Sequence, residues 1–72
     1  MSQNITVVNK LTAFRKKQNL TQEALAEAVG VSRQTIISIE KGKFVPSVKL
    51  ALQIAKEFNT PLEKIFQLEK HS

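Results

Sequence analysis

Apolar side chains recur along this chain at intervals of three and four residues, the spacing of a helix stripe. They do so at Val7, Leu11 and Phe14, at Leu25 and Val29, and at Leu50, Ala51, Ile54, Ala55 and Phe58. No stretch sustains the apolar–polar alternation of a half-buried strand, so the pattern predicts an all-α fold. Capping residues set the limits of the helices. Thr6 can cap a first helix running to about Gln18, with Asn19 as a left-handed residue beyond its end. Thr21 caps a second over Gln22 to Val29, with Glu23 in the first turn and Gly30 just past the end. Ser32 caps a third, Arg33 to Lys41, which stops at Gly42, and Pro46-Ser47 opens a fourth that ends near Asn59. Thr60 as cap, Pro61 at the first helical position and Glu63 three residues after the cap form a capping box for a short fifth helix carrying Leu62, Ile65 and Phe66.

Both glycines fall at helix ends and both prolines at helix starts, with no linker, repeat or low-complexity tract between them. The expectation is one five-helix domain over residues 6–68, with short flexible ends at 1–5 and 69–72. That domain is expected to be the whole protein, without a ligand-sensing or catalytic appendage. A chain of 72 residues buries only about 60% of the surface its unfolded form exposes, and here no covalent staple adds to the core.

Composition narrows the chemistry. The absence of Cys rules out disulfides, thiolate metal sites, iron–sulfur clusters and cysteine catalysis, and the single His, at position 71, cannot make a ligand cluster alone. There is no Asp and no Tyr to serve as a positioned base or nucleophile, and Glu23 and Glu27, four residues apart, read as a solvated helix face. Two glycines twelve residues apart cannot cradle a phosphate, so neither enzyme activity nor a cofactor nor a small-molecule ligand is expected. The apolar stretches are a few residues long against the roughly 20 that span a bilayer, and the start of the chain lacks the layout of a secretion signal. A cytoplasmic, nucleoid-associated location without membrane contact follows as an expectation.

The formal charge is +5 and the isoelectric point about 9.9. All of the excess lies in residues 1–49, because Lys56, Lys64 and Lys70 cancel Glu57, Glu63 and Glu69 in the remainder. A basic surface of this kind suits a polyanion, although an uneven solubilising surface would look the same.

The junction of the second and third helices is more informative. Gly30 allows positive φ, Val31 fills the elbow and Ser32 caps the next helix, a connection that sets two helices at a steep angle. Leu25, Ala26 and Val29 supply one apolar face and Ile36 and Ile39 the other, with Ala26 small enough to allow close approach. At about 100° per residue, Gln34, Ser38 and Lys41 share a sector opposite Ile36, flanked by Ile37, and Arg33 stands at the N-terminal end. Arg, Gln, Ser and an apolar group match the edges that bases present in a DNA major groove. The competing account is that every amphipathic helix has a polar outer side.

Residues 20–43, LTQEALAEAVGVSRQTIISIEKGK, resemble the helix-turn-helix core of the phage repressor and Cro-like regulators, the Xre family. The likeness extends to Arg15-Lys16-Lys17, the loop after Gly42, the fourth helix SVKLALQIAKEF and the closing PLEKIF. It implies a compact phage-repressor-like DNA-binding domain, commonly acting as a homodimer on a two-fold symmetric operator, here a repressor of transcription. By resemblance, Arg33, Gln34, Ile37 and Ser38 face the bases, Gln22, Thr35, Lys41 and Lys43 face phosphates, and Arg15 and Glu40 form an ion pair between the first and third helices. Ile37 departs from the family pattern, where small or polar residues are frequent. Leu62 and Ile65 read as fifth-helix packing, and Phe66 and Leu68 as candidate dimer contacts. The alternative is a protein-interaction module on the same scaffold, such as an antitoxin or adaptor subunit. RNA binding is disfavoured, because four Phe without Tyr or Trp offer few stacking platforms.

Overall fold

Three helix starts are closed by a hydroxyl at the N-cap, the local chemistry that leaves least choice to the backbone. The Thr21 hydroxyl accepts from the Ala24 N–H at 3.0 Å, Ser32 from Thr35 at 3.1 Å and Ser47 from Leu50 at 3.1 Å. The computed structural model describes residues 4–71. In chain order these form β1 (Asn4–Asn9), α1 (Leu11–Lys17), α2 (Gln22–Val29), α3 (Arg33–Glu40), α4 (Val48–Glu57), α5 (Leu62–Ile65) and β2 (Phe66–His71). Helix ends follow the same local logic: Gly30 and Gly42 have φ of 76° and 74°, and Asn19 and Asn59 supply the left-handed residue after α1 and α4 with φ of 56° and 51°.

The elbow between α2 and α3 packs as a wedge. Leu25, Ala26 and Val29 of α2 meet Ile36 and Ile39 of α3 in one buried cluster that also takes in Leu11, Leu50, Ile54, Ala55, Phe58 and Ile65. Val31 fills the elbow from the side, and its N–H reaches back to the Ala26 carbonyl at 3.0 Å. Phe14 closes the α1 side against Phe58, with ring centroids 5.9 Å apart and planes tilted by 58°. The cluster gives α3 a rigid seat, which matters for any task its outer face performs.

The two ends of the chain correct the all-α expectation. Five helices are present, but β1 and β2 pair antiparallel, with Asn4 opposite His71, Val7 opposite Leu68 and Asn9 opposite Phe66. Thr6 therefore caps nothing. It lies in β1, where its hydroxyl is 2.8 Å from Nε2 of His71, and Val7 belongs to the sheet and not to a helix stripe. The reason is the run Ile5-Thr6-Val7-Val8, four β-branched residues whose χ1 restriction favours extended backbone once a partner strand is available. Helix α1 starts at Leu11, whose N–H is accepted by Oδ1 of Asn9 at 3.1 Å, while Nδ2 of Asn9 donates to the Ile39 carbonyl at 2.8 Å. One side chain thus ties the sheet, the start of α1 and the last turn of α3.

At the other end, α5 has Pro61 as its N-cap with no side-chain bond, so the capping box does not form. Thr60 is held elsewhere, its N–H closing α4 on the Ala55 carbonyl at 3.1 Å. Phe66 begins β2 instead of ending α5. Of the ends expected to be flexible, Asn4, Ile5 and Glu69 to His71 are strand residues, and 1–3 and 72 lie outside the described residues. No helix among the described residues is long and apolar enough to cross a membrane.

Candidate nucleic-acid interface

Because Ile36 and Ile39 are fully buried, the opposite side of α3 is forced outward. Arg33 and Gln34 are exposed, Ile37 and Ser38 half-buried, and the four lie in one sector of the helix. Gln34 and Ser38 open onto a shallow cavity of about 240 Å³ that Ser32, Thr35, Lys43 and Phe44 complete. Arg33 lines a second, polar cavity of about 580 Å³ with Arg15, Thr21, Gln22 and Glu23. Ile37 lies between Arg33 and Gln34 by helical rotation, so the apolar side chain separates two hydrogen-bonding groups.

The residues assigned to phosphates divide. Lys43 is exposed and adjoins Gln34 and Ser38, which puts a cation beside the outward face of α3. Thr35 is half-buried, and its hydroxyl is 2.9 Å from that of Ser32. Lys41, the C-cap of α3, lines a cavity of about 380 Å³ with Thr6, Val7, Val8, Asn9, Glu40 and Gly42, on the side of the sheet. Gln22 gives one amide hydrogen to Glu40 at 3.0 Å, which leaves its second hydrogen and the backbone N–H groups of Gln22 and Glu23 for an oxyanion, the Ala24 N–H being taken by the Thr21 hydroxyl.

Behind this face sits a nearly buried charge pair. Nε of Arg15 donates to Oε2 of Glu40 at 2.6 Å and Nη2 to Oε1 at 3.3 Å, with the two side chains 11% and 7% exposed. Nη1 of Arg15 also donates to the Leu20 carbonyl at 2.9 Å. Burial by itself would raise the Glu40 pKa. Hydrogen bonds from Arg15 and Gln22, the Arg15 charge and a hydrogen bond with Thr12 outweigh it and hold the carboxyl below its ordinary value. The pair links α1 to the last turn of α3, and Gln22 brings in α2, so all three helices that surround the elbow share one carboxylate.

Three participants escape the periodicity of the sequence. Phe44, 47% exposed, reaches the cavity beside Gln34 and Ser38 from the loop after Gly42, where no helical repeat predicts its direction. Asn9 and Thr12 support α3 from outside the helix-turn-helix, through contacts that appear only once β1 and α1 are docked. The paired basic residues of α1 and the Gly-Lys after α3 are visible in the sequence, but not the loop that carries the lysine to α3.

Residues 11–65 match the helix-turn-helix family. An uncharacterized HTH-type transcriptional regulator of Methanocaldococcus jannaschii is 61% identical over 61 residues, 85% of this chain and 92% of that protein. The HTH-type transcriptional regulator YgzD of Bacillus subtilis is 47% identical over 64 residues, 89% of this chain and 97% of that one. Among solved structures, the restriction-modification controller protein C.AhdI from Aeromonas hydrophila matches with a TM-score of 0.71 at 26% identity, covering 75% of this chain and 82% of that chain. The transcriptional regulator VanUg, at 24% identity, shares the fold with a TM-score of 0.77 over 97% of this chain and 93% of its own.

Proposed function

The chain belongs to the Xre-type helix-turn-helix family of transcriptional regulators, and we propose that it reads specific duplex DNA through α3 and represses transcription by occupying a two-fold symmetric operator. The observation that carries this reading is the outward face of α3, where Gln34 and Ser38 share a cavity with Lys43 behind a hydroxyl-capped helix start. In that role α3 lies in the major groove. Arg33, Gln34, Ile37 and Ser38 address base edges, and Lys43, Thr35, Gln22 and Lys41 fix the register on phosphates. Phe44 extends the reading face with an apolar surface for a thymine methyl or a sugar. Two copies on one operator place their recognition helices about 34 Å apart, one turn of DNA. Nucleoid localisation follows from the same reading.

Selection of bound duplexes from a random pool tests it. A roughly symmetric consensus supports the proposal, whereas salt-dependent binding with no sequence preference contradicts it. Two substitutions separate reading from holding. Gln34→Ala relaxes the preference at one or two base pairs and costs about 1–3 kcal/mol on the preferred site, and an unchanged selection profile would remove Gln34 from the reading set. Lys43→Ala weakens all sequences alike and lowers the slope of log K against log salt by about one; a loss confined to one operator would refute a phosphate role.

A further inference from the structure

Asn9 ends β1, and both polar atoms of its side chain are engaged. Oδ1 accepts from the Leu11 N–H at 3.1 Å, and Nδ2 donates to the Ile39 carbonyl at 2.8 Å, a partner 30 residues away along the chain. The two partners fix which way the amide faces, because a flipped group would set its nitrogen against an N–H and its oxygen against a carbonyl. The backbone beneath it is equally fixed. Asn9 is paired opposite Phe66, which packs against the core, and the Lys10 N–H donates to the Ile65 carbonyl at 2.8 Å. The amide is therefore a short strut on a held base.

The carbonyl that this strut meets belongs to the turn that closes α3. It also accepts from the Gly42 N–H at 2.9 Å, while the Lys43 N–H donates to the Ser38 carbonyl at 2.9 Å and Gly42 has a φ of 74°. These two bonds are the Schellman closure of a helix that ends on a left-handed glycine, and they set the direction in which the chain leaves α3. The next two residues use that direction. Lys43 and Phe44 line the cavity that Gln34 and Ser38 share. The start of α3 is held by the Ser32 cap and by the Val31 N–H on the Ala26 carbonyl, so Asn9 braces the end that those bonds do not reach.

We propose that Asn9 is a positioning residue for DNA reading: it carries the placement of the two-stranded sheet into the last turn of α3 and so sets where Lys43 and Phe44 stand relative to Gln34 and Ser38. The inference rests on the DNA reading of α3 given above and adds to it a residue outside the helix-turn-helix. Losing the strut changes geometry and leaves charge as it was. Sequence-independent affinity comes from phosphate neutralisation and tolerates small displacements, whereas a base edge accepts a side chain only in a narrow geometry. The loss therefore lowers selectivity without lowering the general affinity for DNA.

The test compares the unmodified chain with Asn9→Ser, Asn9→Thr and the control Gln53→Gly. Serine and threonine keep an oxygen for the Leu11 N–H, so α1 still starts in place, but both are too short to donate to the Ile39 carbonyl. Gln53 is exposed on α4, and glycine there loosens the fold by about as much as one lost hydrogen bond. At a temperature where all four chains are folded, both Asn9 variants bind the selected duplex about three- to tenfold more weakly, the range of one hydrogen bond. They bind an unrelated duplex of equal length as the unmodified chain does, and Gln53→Gly leaves both affinities as they are. In the free protein the amide resonances of Lys43 and Phe44 move in Asn9→Ser and stay in place in Gln53→Gly. Unchanged selectivity in the Asn9 variants, a loss that Gln53→Gly reproduces, or unmoved resonances of Lys43 and Phe44 overturns the proposal. An unmodified chain for which selection yields no preferred duplex, with those resonances moved in Asn9→Ser, would instead overturn the reading of α3.

Discussion

Replacing Ile36 by serine unfolds the protein at room temperature. Ile36 has no exposed surface and stands at the contact between α3 and α2, packed with Leu25, Ala26 and Val29. Loss of a buried Ile side chain costs about 2–5 kcal/mol, and an unpaired buried hydroxyl adds about 1–3 kcal/mol. Together these approach the whole stability of a small domain, about 5–15 kcal/mol. Far-UV circular dichroism with thermal melting reads the outcome: a folded baseline and a near-normal midpoint would mean that another face of α3 is packed inward. Ile37→Ser, one residue on and half-buried, is the control that leaves the fold intact.

Glu40→Ala destabilises the domain by about 3–5 kcal/mol, more than Arg15→Ala does. Removing the carboxylate strands a guanidinium that is 11% exposed and cannot lose its proton, with only the Leu20 carbonyl still accepting from it. Removing Arg15 strands a carboxylate, which can escape the penalty by taking up a proton. Equal losses for the two variants in urea titrations would contradict this asymmetry. The same carboxylate sets an acid limit. Its folded-state pKa lies below the ordinary carboxylate value, so the pair contributes its full stability above that ordinary value and loses it as pH falls through the lower, folded one. Between neutrality and pH 5 the pair therefore contributes no slope to stability, and Glu40→Gln flattens the acid limb below about pH 4.5.

Glu40 also fixes the placement of α3. It joins α1 and α2 to the last turn of α3, while Asn9 holds the Ile39 carbonyl in the same turn from the sheet. A displacement of the sheet thus has a direct mechanical route to α3.

The limits of α2, α3 and α4 follow from residues adjacent to those limits, since a cap is a bond between positions three apart and a left-handed residue needs only itself. Thr21, Ser32, Ser47, Asn19, Gly30 and Asn59 act in this way, so their roles can be read from the chain alone. The outward rotation of Arg33, Gln34, Ile37 and Ser38 is equally local, because a buried Ile36 and the helical period leave one direction for them. The sheet has no such signature. Its strands are separated by more than fifty residues, and the β-branched run of β1 favours extended backbone without naming the segment that pairs with it. Thr6 is a capping residue by type and becomes a strand residue only because β2 arrives beside it. The convergence of Phe44, Lys43 and Gln34, the burial of the Arg15–Glu40 pair and the reach of Asn9 to the Ile39 carbonyl have the same origin. Each is made of side chains from elements that meet only when the core has closed, and no spacing along the chain encodes a distance across it.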